Sequence, residues 1–440
     1  MTSRGVLDSV DIVVRDGRIA SIVESGSIFP SRDVMVIDAT GQFVIPGLSD
    51  MHVHVRHEDM LPALAAHGVT LIRDMWGSKE TLNLRESVET KDRFAPQILA
   101  GSPGVDGEPP TFPGNPTITS SALAENTIRR LVEQGYDFVK IYDRLSADSF
   151  LAVAEACRAN NIGFSGHPPF GVPFESVLVS GISSIEHLQG YMFATASEDL
   201  GFSATSIDPM RDFPRLMRAT MTAEQSGRGV GSVFDSAKRA MIAQRTASNG
   251  VWNTPTLIAI EKTNTPSDER DAEFAREEMK YVSPQLKNQW RPANNVRFQF
   301  MTDDMLRGFR MMGRESQRMT KALQDAGAGL LVGTDTPEAF LIPGVSVHEE
   351  LEQMVKAGLT PDAALAAATS NVGAFLGQPG SFGIVAEGAY ANLVLLQNNP
   401  LEDIRHSRSI AGIVLRGKYF DRDALDSKLR EISDRSQDTN

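Results

Sequence analysis

Short apolar runs alternate with helix-patterned stretches through the middle of this chain, and that alternation limits the fold more than any other feature. Runs at 69–75, 97–101, 138–142, 163–167, 183–186, 252–256 and 329–333 read as strands. An eighth follows Phe43-Val44-Ile45-Pro46 and carries His52 and His54. Helical patterns lie between them, for example 122–134, 147–160 and 303–326. Thr360-Pro361-Asp362 reads as a helix start, an N-cap followed by proline at the first helical position. Eight βα units over this length predict an α/β fold, a (β/α)8 TIM barrel. The stretch from about 190 to 330 is long for its strand content and is expected to add helical insertions over one barrel mouth.

The two ends have a different texture. Residues 1–45 are short alternating strands, with a hairpin turning at Asp16-Gly17. Residues 379–440 resume that pattern in 391–396 and 410–415, with a turn at Arg416-Gly417-Lys418. The expected organisation is a small β-sandwich built from 1–45 and 379–440, flanking a 46–378 barrel. Residues 1–10 barely supply a further strand, so a natural leader is expected to be missing; no signal peptide is visible, and cytoplasm is the default compartment.

Composition excludes several classes. The 43 basic against 56 acidic residues leave a net charge of −13, a surface that repels phosphate backbones, so no nucleic acid is expected as partner. No uncharged apolar stretch reaches the roughly 18 residues of a membrane span. Cys157 is the only cysteine, which forbids an intrachain disulfide; its helical pattern with Phe150, Val153 and Ala154 predicts a small buried apolar residue.

The strand ends carry the chemistry. His52 and His54 alternate with Val53, so they point the same way from their strand. Lys140 interrupts an apolar strand, His167 and His187 close two further strands, and Asp335 follows the last. In a barrel the C-terminal strand ends form one face, where active sites sit. Each residue alone has a bland reading: a strand-end histidine is commonly a hydrogen-bonded rim residue, a lysine snorkels, an aspartate caps a turn. Together they would need six coincidences of position. A lysine made neutral by burial can react with carbon dioxide to give a carbamate, an anion whose two oxygens can bridge two metals. The histidines and aspartate suit zinc, manganese, iron or cobalt.

These motifs resemble the amidohydrolase superfamily, in its imidazolonepropionase-like and prolidase-like metal-dependent hydrolase branch. They are Pro46-Gly47-Leu48-Ser49-Asp50-Met51-His52-Val53-His54, Phe138-Val139-Lys140-Ile141, Gly166-His167, Ile185-Glu186-His187 and Gly333-Thr334-Asp335. Glu349-Glu350-Leu351, Ala367-Ala368-Thr369-Ser370-Asn371 and Asn399-Pro400-Leu401-Glu402-Asp403-Ile404 also fit. The resemblance implies two divalent ions, zinc foremost: His52, His54 and Asp335 on one, His167 and His187 on the other, carboxylated Lys140 bridging. It implies a shared hydroxide attacking a carbonyl, with Asp335 as base and then acid, and a homo-oligomer. The expected substrate is a small amide, ester, lactam or peptide-like molecule with a hydrophobic part near Trp290, Phe298 and Phe300. An Xaa-Pro-type dipeptidase or carboxypeptidase is the alternative, and a non-catalytic scaffold the remote one.

Some positions depart from the pattern. The loop after the third strand, 102–111, lacks the histidine that peptidase-like relatives would place there, and Leu188 follows His187 where some carry a tyrosine. Tyr142 is a candidate oxyanion donor as well as a packing residue. Asp74 and His348 are candidates for orienting a ligand, each against a structural reading; His57, His67 and His406 read as surface or packing residues. Met301, Met305, Met311 and Met312 read as a helix face able to line an apolar entrance.

Overall fold

The computed structural model describes residues 5–91, 93–202 and 206–435. Residues 1–4, part of the expected first strand, lie outside them. The strands, in chain order, are β1 (Val10–Arg15), β2 (Arg18–Glu24), β3 (Phe43–Pro46), β4 (Leu48–Val53), β5 (Val69–Asp74), β6 (Gln97–Ala100), β7 (Phe138–Ile141), β8 (Gly163–Gly166), β9 (Ser184–Glu186), β10 (Trp252–Thr254), β11 (Leu393–Leu396), β12 (Ile410–Leu415) and β13 (Lys418–Asp421).

The middle of the chain forms two parallel arcs, β4-β5-β6 and β7-β8-β9-β10. Single bridges continue them: Gly101 to Phe138, Asn253 to Leu330, and Val53 to Thr336. Helices fill the crossovers and begin where hydroxyl caps stop the preceding loop. Ser120, Ser146 and Thr360 each accept a backbone N–H three residues ahead, supplying a partner to a donor the helix leaves unpaired. Every residue of β4, β5 and β7 is buried, as a sheet covered by helices requires. This is an α/β fold of the TIM-barrel type.

The expected strand at 329–333 is not formed as a ladder. Val332 N–H donates to Ala367 O rather than to a neighbouring strand, and Thr334 N–H is shared between His52 O and the Asp50 carboxylate. Leu331 N–H still donates to Asn253 O of β10, and Met51 N–H of β4 donates to Val332 O, so the segment lies between the two arcs and joins them by single bridges rather than a continuous ladder. The insertions are helical as expected, chiefly Pro209–Gln225, Ser236–Ser248, Leu257–Thr263 and the 23-residue Asp303–Asp325.

At the ends, β1 and β2 pair antiparallel and turn at Asp16 and Gly17, whose φ of 52° and 73° are the left-handed pair of a tight hairpin. β3 pairs antiparallel with β11, Phe43 opposite Leu396, in a sheet ordered β13-β12-β11-β3, so residues from both ends of the chain share one sheet. Ile19 and Ile22 of the hairpin pack with Leu393, Leu395 and Val414 of that sheet. Cys157 is buried in the Ala147–Ala159 helix.

Candidate metal centre

His52 is fully buried at the end of β4. Its Nδ1 lies 2.7 Å from Glu186 Oε2, which assigns the N–H to that side and turns Nε2 inward. Glu186 also accepts from Arg73 Nη2 at 2.8 Å and Ser184 Oγ at 2.5 Å, and Arg73 Nε donates to Met51 O at 2.7 Å. Burial pushes the Glu186 carboxyl upward, but Arg73 and the His52 N–H overcome it and hold it well below the usual carboxylate range. The other ring nitrogens are anchored similarly. His167 Nδ1 meets Asp143 Oδ1 at 2.9 Å, and that oxygen also accepts from Gln189 Nε2 at 2.9 Å. His187 Nδ1 meets Thr256 Oγ1 at 2.8 Å. Such partners fix ring orientation and raise the basicity of the opposite nitrogen.

The inner atoms converge. Asp335 Oδ1 lies 2.9 Å from His54 Nε2 and 3.4 Å from His52 Nε2. The His52 and His187 ring centroids are 4.4 Å apart, and those of His167 and His187 5.0 Å. His52, His187 and Asp335 each offer a ligand atom within 4.8 Å of the other two. This trio takes one member from each half of the implied ligand set and a carboxylate between them. Lys140 is 1% exposed and lines the same cavity. Burial pushes its ammonium down to about 8, against the pull of Glu186 and Asp335. Burial also holds the His167 and His187 imidazoles below their ordinary value, so both are neutral ligands in waiting.

The donor set fits a divalent cation. His52 Nε2, which faces Asp335, and Lys140 Nζ are buried without a hydrogen-bond partner; so is His54 Nδ1, whose ring meets Asp335 through Nε2 instead. Each orphan of this kind costs about 1–3 kcal/mol. A cation at this point would satisfy nitrogens that the protein leaves bare.

The backbone is strained around the same cavity. His187, Leu188, Thr256 and Asp335 have φ of 58°, 50°, 48° and 64°, the left-handed region that branched and bulky side chains avoid. Held at about 1–3 kcal/mol each, such conformations cluster at functional sites. Gly333 shows how tightly the site is built: a Cβ there would sit 2.3 Å from Thr254 Cγ2 and 2.7 Å from His52 Cβ.

The cavity has a volume of about 740 Å³. One wall is aromatic: Trp76, Phe112 and Tyr142 pack edge to face, and the Tyr142 ring stacks 4.4 Å from His167. Another is formed by Phe193, Phe213, Phe309 and Met312 of the insertions. The expected apolar contacts are corrected here. Trp290 and Phe298 are buried in a separate cluster with Phe340, where Trp290 Nε1 donates to Pro337 O, and Phe300 is 78% exposed. Of the methionine run only Met312 reaches the cavity. In place of a third-strand histidine, the segment beyond β6 presents Phe112, Pro113 and Asn115.

Two orienting candidates do not serve a ligand. Asp74 accepts from Trp76 N, Val55 N and Thr81 Oγ1, and so organises the loop after β5. His348 bonds Ser407 Oγ and His67 O, tying the Val345–Lys356 helix to the chain's C-terminal part. His67 and His406 bond backbone oxygens, as packing residues do, and His57 is half-buried. The residues that hold the His52, His167 and His187 rings were missed: Asp143, Thr256 and the Arg73–Glu186 pair. An arginine inside the apolar strand Val69–Asp74 was the readable signal, of the same kind as Lys140. Nothing local marks Thr256.

Residues 232–419 match the model of the amidohydrolase family. The chain is 26% identical to an adenine deaminase of Paracoccus denitrificans over 196 residues, 41% of this chain and 32% of that protein. It is 32% identical to a dihydroorotase of Bacillus thuringiensis over 98 residues, 20% of this chain and 22% of that one. The matches thus span a third or less of these relatives. Among solved structures, bottromycin amidohydrolase superposes with a TM-score of 0.74 at 23% identity, covering 97% of this chain and 86% of that one. A putative prolidase from Bifidobacterium longum does so with 0.65 at 22%, covering 96% and 93%. These two likenesses agree with the fold described above. The part of the chain from 232 to 419 is thus similar to the amidohydrolase family, and the chain as a whole shares the fold of these two structures.

Proposed function

We propose that this chain is a binuclear metal-dependent hydrolase that opens a C–N amide bond, or a related ester or lactam. The observation that carries the reading is the meeting of His52, His187 and Asp335, whose ligand atoms lie within 4.8 Å of one another, with His52 Nε2 buried and partnerless and Lys140 lining the same cavity. His52, His54, Lys140, His167, His187 and Asp335 would hold the ions, zinc foremost. When bound, they supply a water acidic enough to attack at neutral pH and a Lewis acid for the carbonyl. The remaining steps belong to the chain. Lys140, once neutral, would add carbon dioxide at Nζ and lose a proton, giving a carbamate anion able to help hold the ions. Asp335 takes a proton from the attacking water and returns it to the leaving amine. Tyr142, on the cavity wall beside His167, donates its hydroxyl to the carbonyl oxygen as it gains charge. The aromatic walls take a hydrophobic part of the substrate. The bridges at Gly101, Leu330 and Thr336 support closure of the two arcs into an eight-stranded barrel over 46–378. The shared packing of Ile19 and Leu393 supports a terminal sandwich of 1–45 with 379–440.

The test combines elemental analysis with a panel of N-acyl amino acids, dipeptides, lactams and aryl esters. Two ions per chain are expected, with turnover of a C–N substrate that chelation abolishes and divalent metal restores. A folded protein that binds no metal and cleaves nothing on the panel would overturn the reading in favour of a scaffold.

A further inference from the structure

One cation in the cavity, besides Lys140, has no counter-ion among the described residues. Three cationic side chains line it: Lys140, already placed, Arg56 and Arg297. Arg56 is neutralised by Glu338. Arg297, on the insertion helix Val296–Phe300, has no carboxylate within salt-bridge distance among the described residues. Its Nη1 donates to Asn264 Oδ1 at 2.9 Å and grazes Met301 Sδ at 4.0 Å. Asn264 is itself fixed, 4% exposed, with its Nδ2 donating to Ile260 O at 2.8 Å. A buried amide therefore pins one edge of the guanidinium and leaves the rest of its five donors unused. The residue is exposed, while surrounding protein disfavours its charge and the fields of Glu338 and Asp335 support it. It is near enough to the centre to feel Asp335, yet no distance brings them into contact.

A planar fork held by one edge, facing a cavity between apolar walls, matches a carboxylate in two-point geometry. We propose that Arg297 is the specificity-determining residue of this site, binding the carboxylate of a substrate that carries a free acid group alongside its scissile amide. The proposal rests on the hydrolase reading for the word substrate. The substrate class is then an N-acylated amino acid or short peptide with an apolar portion. The carboxylate grip comes from an insertion helix rather than from the position after His187, where Leu188 has nothing to offer.

The experiment measures binding and turnover separately. N-benzoyl-L-phenylalanine and its uncharged carboxamide are titrated calorimetrically into the full-length protein, as wild type, Arg297→Met and Arg297→Lys. Charge-assisted hydrogen bonds predict that wild type prefers the acid by about tenfold or more. R297M should lose that preference, with the carboxamide bound as before, and R297K should keep part of it. Equal binding of acid and carboxamide by wild type would overturn the proposal, as would binding of neither. A preference retained in R297M would overturn it too, since the carboxylate would then be held elsewhere, for instance at the centre itself. Failure of the hydrolase reading looks different: an acid preference that depends on Arg297, with no bond cleaved on the panel.

Discussion

Glu186→Gln tests the device that orients the centre. The side chain is fully buried, and its two oxygens serve two masters, Arg73 at 2.8 Å and His52 at 2.7 Å. Glutamine preserves shape and one acceptor but removes the charge. Arg73, 1% exposed, is then a buried cation without a counter-ion. Breaking such a pair from one side costs about 3–5 kcal/mol. Unfolding entropy of about 2.1 cal/mol/K per residue gives about 0.9 kcal/mol/K for 440 residues. The expected loss is therefore about 3–5 °C in Tm. It is read by scanning calorimetry on wild type and variant after identical chelator treatment, so that metal affinity does not enter. A second effect is read by chelator competition: without the carboxylate, His52 loses the partner that fixes its tautomer, and zinc binding should weaken by about 10–100-fold. The double variant Arg73→Met/Glu186→Gln removes both charges and should cost less than the two single losses summed. A Tm within 1 °C of wild type for E186Q, with unchanged zinc affinity, would refute the coupling of pair and ligand.

Other outcomes follow from the same geometry. Lys140→Ala should lose most bound metal and nearly all turnover, with partial rescue by a short-chain carboxylic acid; full activity would rule out the bridging role. Gly333→Ala should destabilise by about 1–3 kcal/mol, because the new methyl meets Thr254 and His52 well inside contact distance, and an unchanged urea midpoint would contradict this. Glu350 accepts from Leu257 N and Ile258 N at the start of the Leu257–Thr263 helix, and burial pushes it up to about 8. A carboxyl raised in the folded state stabilises fully below the ordinary carboxylate range, and that contribution is lost as pH climbs toward 8. Glu350→Gln has no such dependence, so the Tm advantage of wild type over E350Q should shrink between pH 5 and pH 8; a constant gap would refute the burial argument.

Local chemistry in the sequence determined the α/β texture, because periodicity and capping act within a few residues. The strands at β5 to β10, the Asp16-Gly17 hairpin and the Thr360 cap were legible for that reason. His52, His54, Lys140, His167, His187 and Asp335 were legible as chemically costly residues at strand ends. Only the tertiary structure decided what surrounds them. Arg73 reaches Glu186 across 113 positions, His187 reaches Thr256 across 69, and Thr334 reaches Asp50 across 284. Such pairings depend on how strands are laid side by side, and no local pattern encodes that. The same holds for the interrupted ladder at 329–333, whose apolar residues fit a strand while the Val332 N–H was claimed by Ala367, outside the sheet. It holds for the cavity walls as well. Trp290 and Phe298 have the composition of a substrate wall, yet insertion packing turned them inward and left that place to Trp76, Phe213 and Arg297.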